Sequence, residues 1–161
     1  ATFLLTSEVQ TDNIIAHHQK VHTNTIQIVD TLEDKGYQVL RKALPGIKLV
    51  QVIHVRGPAN LDEALAIAPM VDALLLDSGN PTGAVKTLGG TGKTHDWHIS
   101  RQIREQAGVP VFLAGGLNAE NVREAIETVQ PFGVDLCSGV RTDGKLDPEK
   151  LETFMKRASE G

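Results

Sequence analysis

The sequence is poor in several residue types, and each shortage excludes a class of protein. It contains one cysteine, Cys137, so an internal disulfide framework is excluded and a reducing cytosol is expected. It has no run of about 18 apolar residues, so no membrane-spanning segment is predicted. Its 16 basic residues are outnumbered by 20 acidic ones and form no basic stripe, so nucleic acid is not indicated as a partner.

The residues that are present are typical of one globular domain. A chain of 161 residues with 40% hydrophobic residues is long enough for one hydrophobic core and too short for two ordinary domains. Residues 1–5 have neither the basic region nor the long apolar segment of a secretory signal. We therefore predict a single domain over residues 1–161 and a cytoplasmic location.

Six short apolar runs, rich in β-branched residues, recur along the chain. They cover residues 3–5, 26–29, 49–55, 73–76, 109–113 and 134–137, and their starts lie 23, 23, 24, 36 and 25 residues apart. Such short, nearly continuous runs are typical of strands buried on both faces. Helical patterns separate them, for example the apolar face formed by Val122, Ala125, Ile126 and Val129. The alternation predicts an α/β fold with parallel strands, either a doubly wound sheet or part of a barrel.

Glycine turns follow the last two predicted strands. One contains Gly115 and Gly116 before a helix predicted to open at Asn118, and the other contains Ser138 and Gly139. Glycine lets backbone N–H groups approach a phosphate, and a helix N-terminus adds positive potential. Either turn alone is better explained as a tight connection that needs positive φ. Two such turns on consecutive strands favour a shared phosphate site.

A long, glycine-rich gap separates the fourth and fifth predicted strands. It includes Gly90 and Gly92 within Gly-Gly-Thr-Gly-Lys-Thr at residues 89–94. A nucleotide-binding P-loop would need glycine at position 87, where this chain has Thr87, so that interpretation is weak. The two remaining interpretations are a loop that closes over a substrate and a disordered surface loop.

Two aspartates are candidates for a catalytic site. Asp77 ends the fourth apolar run, where a carboxylate would face a pocket at the carboxyl end of the sheet and can serve as a general acid. The alternative for Asp77 is a chain-turning or capping residue. Asp135 lies within the sixth run, and the face that it occupies depends on the register of that strand.

The cysteine and the histidines carry weaker signals. Cys137 is expected to be a small buried residue rather than a reactive thiol. His18 and His22 have the i, i+4 spacing of a metal pair, but no carboxylate completes the arrangement of a zinc site. Together with His17 they are interpreted as a solvated helix face, and no metal site is predicted. His54 is isolated in sequence and has no evident partner.

Three segments, in this order and spacing, resemble the phosphoribosylanthranilate isomerase family. They are Leu-Leu-Asp-Ser at residues 75–78 with the glycine-rich segment 89–97, then residues 113–122, and then residues 133–140. They match the sixth, seventh and eighth β/α units of that family, and the motif-level match covers about half of the chain. The N-terminal half of the chain fits the third to fifth units by pattern, with little motif identity.

The resemblance implies a TIM (β/α)8 barrel and an aldose–ketose isomerase that acts in tryptophan biosynthesis without a metal or organic cofactor. The reaction would be the Amadori rearrangement of N-(5′-phosphoribosyl)anthranilate, a small phosphorylated molecule, in a monomer or homodimer. Asp77 matches the family's general acid, and Asp135 matches an aspartate near the site. The substrate phosphate would be held by Gly115, Gly116, Ser138 and Gly139. Gly90 and Gly92 would belong to the cover of the pocket.

The chain also departs from the family pattern. The family's Lys-x-Cys-Gly motif, which carries its general base, and an arginine after its second strand have no match in this sequence, so we expect further residues before Ala1. Val29 and Asp30 stand where the family tends to have His-Gly, and Arg141 stands where it usually has glutamate. A diverged phosphosugar-binding barrel with another substrate and a non-catalytic relative are therefore the alternatives.

Overall fold

The computed structural model describes residues 1–32, 36–78 and 96–160, and its main feature is one parallel sheet. The six strands are β1 (Phe3–Thr6), β2 (Thr25–Ile28), β3 (Lys48–His54), β4 (Ala73–Asp77), β5 (Val111–Leu113) and β6 (Gly133–Val134). The helices are α1 (Thr11–Val21), α2 (Gly36–Ala43), α3 (Ala59–Ile67), α4 (Trp97–Gln106), α5 (Val122–Val129) and α6 (Pro148–Ser159). The predicted alternation of strands and helices is confirmed.

The order of the strands decides between the two predicted architectures. The sheet runs β1-β2-β3-β4-β5-β6, so each strand pairs with its neighbours in sequence and the order never reverses. A doubly wound sheet contains such a reversal, whereas a barrel winds in one direction. The chain therefore has the arrangement of a (β/α) barrel, with six consecutive strands of it.

The pleat of the strands divides the buried side chains between two faces. Successive residues of a strand point to opposite faces. On β3, Leu49 and Ile53 join the large core that includes residues from all six helices, whereas Val50 and Val52 join a small cluster of strand residues on the other face. The face with the small cluster corresponds to the interior of a barrel. Side chains of this second face and of the carboxyl edge line the candidate site.

The ends of several elements differ from the predictions. The sixth run was predicted over residues 134–137, but β6 ends at Val134, and residues 138–140 form a 3₁₀ turn. The strand ends there because β5 itself ends at Leu113, the register partner of Val134. The helix predicted to open at Asn118 begins at Val122. The Asn118 side chain accepts hydrogen bonds from the N–H groups of Glu120 and Asn121, which stabilises a turn in place of a first helical turn.

A short hairpin was not predicted. Strands β7 (Arg141–Thr142) and β8 (Lys145–Leu146) pair antiparallel, and Asp143 and Gly144 connect them with φ values of 51° and 76°. Aspartate followed by glycine is a common sequence for this turn, so a signal was present. Among the described residues, no helix has the length and apolar character needed to cross a membrane.

Candidate active site at the carboxyl edge of the sheet

A cavity of about 340 Å³ opens where β4, β5 and β6 end. Because the strands are parallel, their carboxyl ends meet at one edge, and the residues that follow them are brought together. Five of the predicted site residues line this cavity: Asp77, Gly115, Gly116, Asp135 and Ser138. The apolar part of its lining is formed mainly by strand residues, among them Leu5, Val29, Val52 and Leu75.

Asp77 is the last residue of β4 and is 8% exposed. Alternate residues of a strand point to the same face, so Asp77 shares a face with Ala73 and Leu75 of the small cluster. Its side chain therefore lies on the cavity side of the sheet. Its Oδ1 accepts a hydrogen bond of 2.7 Å from the N–H of Ser78. The carboxylate is therefore held at the rim of the cavity and is largely removed from solvent.

The turn after β5 packs directly against this carboxylate. Gly115 has a φ of 86°, and a Cβ at this position would lie 2.6 Å from the Ser78 nitrogen and 2.9 Å from Asp77 Oδ1. Gly116 follows with a φ of 68°. Within the described part of the chain, neither glycine donates its backbone N–H to another protein group. Only glycine fits this turn without strain, and its backbone donors lie beside the candidate acid.

The two glycine turns meet backbone to backbone. A Cβ on Gly139 would overlap the carbonyl oxygen of Leu117 and would lie 3.2 Å from the Cα of Asn118. Ser138 lines the main cavity, whereas Gly139 faces an adjacent depression that Asn118 and Lys150 also line. The predicted proximity of the two turns is therefore present, and the absence of a side chain at position 139 is what permits it.

Asp135 follows β6 on the same face as Asp77. Although part of the residue is exposed at the edge of the sheet, its carboxylate lines the cavity. Desolvation raises the pKa of Asp135, and the negative charge of Asp77 raises that pKa further, against the opposing hydrogen bond from the Leu136 N–H. Two carboxylates therefore share the cavity, and the ionisation of Asp135 responds to the charge of Asp77.

Two expectations about single residues were wrong. Cys137 was predicted to be buried, but it is exposed and lines the cavity, because the chain leaves the sheet after Val134. His18 was predicted to lie on a solvated helix face, but it is buried, and its Nε2 lies 2.7 Å from the carbonyl oxygen of Thr23. Gly90 and Gly92 of the predicted cover lie outside the described residues.

Two further residues near the site were not among the predicted site residues. His54 ends β3 and is the register partner of Asp77, and Val29 follows β2 and lines the cavity. His54 ends an apolar run one strand away from Asp77, so its position within the predicted sheet was an available signal. Val29 was named only as a departure from the family pattern, because an apolar residue at a strand end is otherwise ordinary in an α/β core.

Comparison with known proteins relates the chain to one family. A family model described as N-(5′-phosphoribosyl)anthranilate (PRA) isomerase matches residues 5–157. The N-(5′-phosphoribosyl)anthranilate isomerase of Methanothrix thermoacetophila is 35% identical over 146 residues, which cover 91% of this chain and 66% of that protein. The matched residues span between 52% and 66% of the length of this and two further curated relatives.

The chain is also similar to solved structures of phosphoribosyl anthranilate isomerases. The phosphoribosyl anthranilate isomerase of Thermococcus kodakaraensis is 30% identical, with a TM-score of 0.77, over 99% of this chain and 74% of that one. A phosphoribosyl anthranilate isomerase in complex with reduced 1-(o-carboxyphenylamino)-1-deoxyribulose 5-phosphate is 28% identical, with a TM-score of 0.70, over 97% of this chain and 69% of that one.

The close packing at Gly115 predicts a large loss of stability on substitution. Gly46 is a matched control, since it has the same φ of 86° but a Cβ at that position would have no atom within 4 Å. We expect Gly46→Ala to cost about 1–2 kcal/mol from the left-handed backbone alone. Gly115→Ala should cost about 2–5 kcal/mol, because overpacking against Ser78 and Asp77 is added. Urea unfolding measures both, and equal losses would contradict the packing described at Gly115.

The coupling of the two carboxylates predicts a shift in the titration of Asp135. In Asp77→Asn, the pKa of Asp135 should fall, because the neighbouring charge is removed, but it should stay above its ordinary value, because desolvation is the larger cause. Carbon-detected NMR of the side-chain carboxyls measures this.

Asp72, at the opposite edge of the sheet, is the control for that titration. Desolvation acts to raise the pKa of Asp72. Hydrogen bonds outweigh it and hold that pKa below its ordinary value, and the bond from the Leu49 N–H is the largest of them. This pKa should not change in Asp77→Asn. An unchanged pKa of Asp135 in the same variant would show that Asp77 does not act on it.

Proposed function

The chain belongs to the N-(5′-phosphoribosyl)anthranilate isomerase family, and on that premise we propose that the protein catalyses the Amadori rearrangement of N-(5′-phosphoribosyl)anthranilate. The product would be 1-(o-carboxyphenylamino)-1-deoxyribulose 5-phosphate, made in the cytoplasm for tryptophan biosynthesis. The observation that carries the proposal is the placement of a buried carboxylate, Asp77, against a glycine turn that can bind a phosphate. We propose no metal ion or organic cofactor for this reaction.

The phosphate end of the substrate is assigned to the paired glycine turns. Backbone N–H groups in a left-handed glycine turn bind anions through several short hydrogen bonds. Gly115 and Gly116 have this conformation, and Ser138 adds a hydroxyl group and Gly139 a second backbone segment. The close contact of the two turns lets them bind one phosphate from two sides.

Asp77 is assigned the role of general acid. Its proton passes to the ribose ring oxygen, the bond between that oxygen and C1′ breaks, and the nitrogen lone pair forms the C=N bond of a Schiff base. Loss of the C2′ proton then gives an enolamine, which becomes the ketone product. Because Asp77 is buried at the rim of the cavity, a bound sugar ring would meet its carboxyl group with little intervening water. The base that removes the C2′ proton belongs to a family motif, Lys-x-Cys-Gly, that this sequence does not contain.

The apolar part of the cavity is assigned to the anthranilate ring. Leu5, Val29, Val52 and Leu75 form a surface on which an aromatic ring can pack, away from the glycine turns. Val29 stands where the family tends to have histidine, which is the observation that favours a second candidate function: a barrel of the same kind that binds a different phosphosugar. Both candidates share the phosphate site and differ in what fills the apolar end.

The catalytic assignment predicts a large loss of turnover in Asp77→Asn. Turnover of the full-length protein is followed by the change in anthranilate fluorescence, and removal of a general acid should lower kcat by about 10²–10⁴-fold. Asp143→Asn is the matched control, since Asp143 is an exposed hairpin residue with a φ of 51°, which asparagine also adopts readily. Its turnover should equal that of the wild type.

Each result separates one part of the proposal from the others. Rapid turnover by Asp77→Asn would exclude Asp77 as the acid. Absence of turnover by the wild-type protein would exclude the function. Saturable binding of inorganic phosphate without any response to the anthranilate substrate would favour the second candidate.

A further inference from the structure

His54 combines three features that packing alone does not explain. It is 8% exposed, its Nε2 lies 3.2 Å from the carbonyl oxygen of Val29, and its buried Nδ1 has no hydrogen-bond partner among the described residues. An apolar residue would fill this place without leaving a buried nitrogen unpaired. The polar contact that the ring makes is the one from Nε2 to the Val29 carbonyl oxygen, so the role of His54 is sought there.

The contact with Val29 shows which ring nitrogen is the donor. A carbonyl oxygen only accepts hydrogen bonds, so Nε2 carries a proton and donates it to Val29. The registered pairs of β2 and β3 end at Ile28 and Gln51. Val29 comes one residue after Ile28, the last paired residue of β2. The hydrogen bond from His54 therefore connects the chain to β3 beyond the last pair of the ladder.

A second side chain of β3 supports the same segment from the other face of the sheet. Gln51 donates its Nε2–H to the carbonyl oxygens of Val52, at 3.0 Å, and of Asp30, at 3.4 Å. Its Oε1 accepts a hydrogen bond of 2.7 Å from the buried Tyr37 hydroxyl of α2. Consecutive carbonyls, those of Val29 and Asp30, are thus held by two residues of one strand.

We propose that His54 is a positioning residue that holds Val29 as part of the apolar wall of the cavity and so determines how the non-phosphate end of the ligand binds. The proposal rests on the proposed function for the identity of that ligand. Val29 directly follows β2, which is three strands away from β5 and its glycine turn. Displacement of Val29 should therefore affect the apolar end of the ligand and leave the phosphate end unchanged.

Two substitutions at His54 distinguish the effect of its N–H donor from the effect of the volume of its ring. His54→Gln keeps an N–H donor at a similar distance along the side chain, whereas His54→Leu keeps the apolar volume and removes the donor. The probes are inorganic phosphate and reduced 1-(o-carboxyphenylamino)-1-deoxyribulose 5-phosphate, with affinities measured by calorimetry. Amide hydrogen exchange of residues 30–32 reports the position of the segment directly and does not depend on any ligand.

We expect His54→Leu to bind the reduced product about tenfold more weakly, because one hydrogen bond that orders the wall is lost. Its affinity for phosphate should stay within about twofold of the wild type, and exchange over residues 30–32 should be faster. His54→Gln should restore the affinity and the exchange. In turnover, His54→Leu should raise KM by the same factor with little change in kcat.

Three results would overturn the proposal. These are wild-type affinity and exchange in His54→Leu, an equal loss of both ligands, and the failure of His54→Gln to restore binding. If the wild-type protein binds phosphate but not the reduced product, the proposed function fails. The role of His54 is then decided by exchange: faster exchange in His54→Leu alone supports it, and equal exchange in all three proteins overturns it.

Discussion

The hydrogen-bonded register of β4 with its two neighbours is the constraint on which the site depends. It pairs Asp77 with His54 on one side and Leu76 with Leu113 on the other. In this register the carboxylate lies on the interior face, and the turn after β5 begins beside it. A slip of one residue would exchange the faces and place Asp77 among the helices. Such a slip is opposed by the Asp77 carboxylate, because it would be buried in the apolar core beneath the helices.

The same register brings together groups with opposite effects on a bound anion. Backbone N–H groups of the glycine turns attract a phosphate, whereas the carboxylates of Asp77 and Asp135 repel one when they are ionised. The raised pKa of Asp135, caused by desolvation and by the charge of Asp77, reduces that repulsion. A carboxyl group that donates a proton to a sugar ring must lie near the substrate, and Asp77 and the glycine turns line one cavity at adjacent strand ends.

The sequence predicts the strands and the glycine turns well, because their signals are local. Continuous apolar runs define β3 and β4, and the glycines at 115 and 116 are required by the backbone itself. The face of the sheet on which Asp135 lies depends on the register of its strand. Register is set by residues that are distant in sequence, so local patterns do not predict it. Cys137 was placed wrongly because an apolar run does not show where an edge strand leaves the sheet. The role of His54 is recognised only when its contact with the Val29 carbonyl oxygen is known.

The central claim is that a phosphorylated ligand binds at the carboxyl edge with its phosphate at the glycine turns. The most direct measurement is an amide NMR titration of the protein with inorganic phosphate and then with the reduced product. The largest shifts with phosphate should occur at Gly115, Gly116, Ser138 and Gly139, and the reduced product should add shifts at Val29 and Asp77. Largest shifts elsewhere, or none that saturate, would contradict the claim.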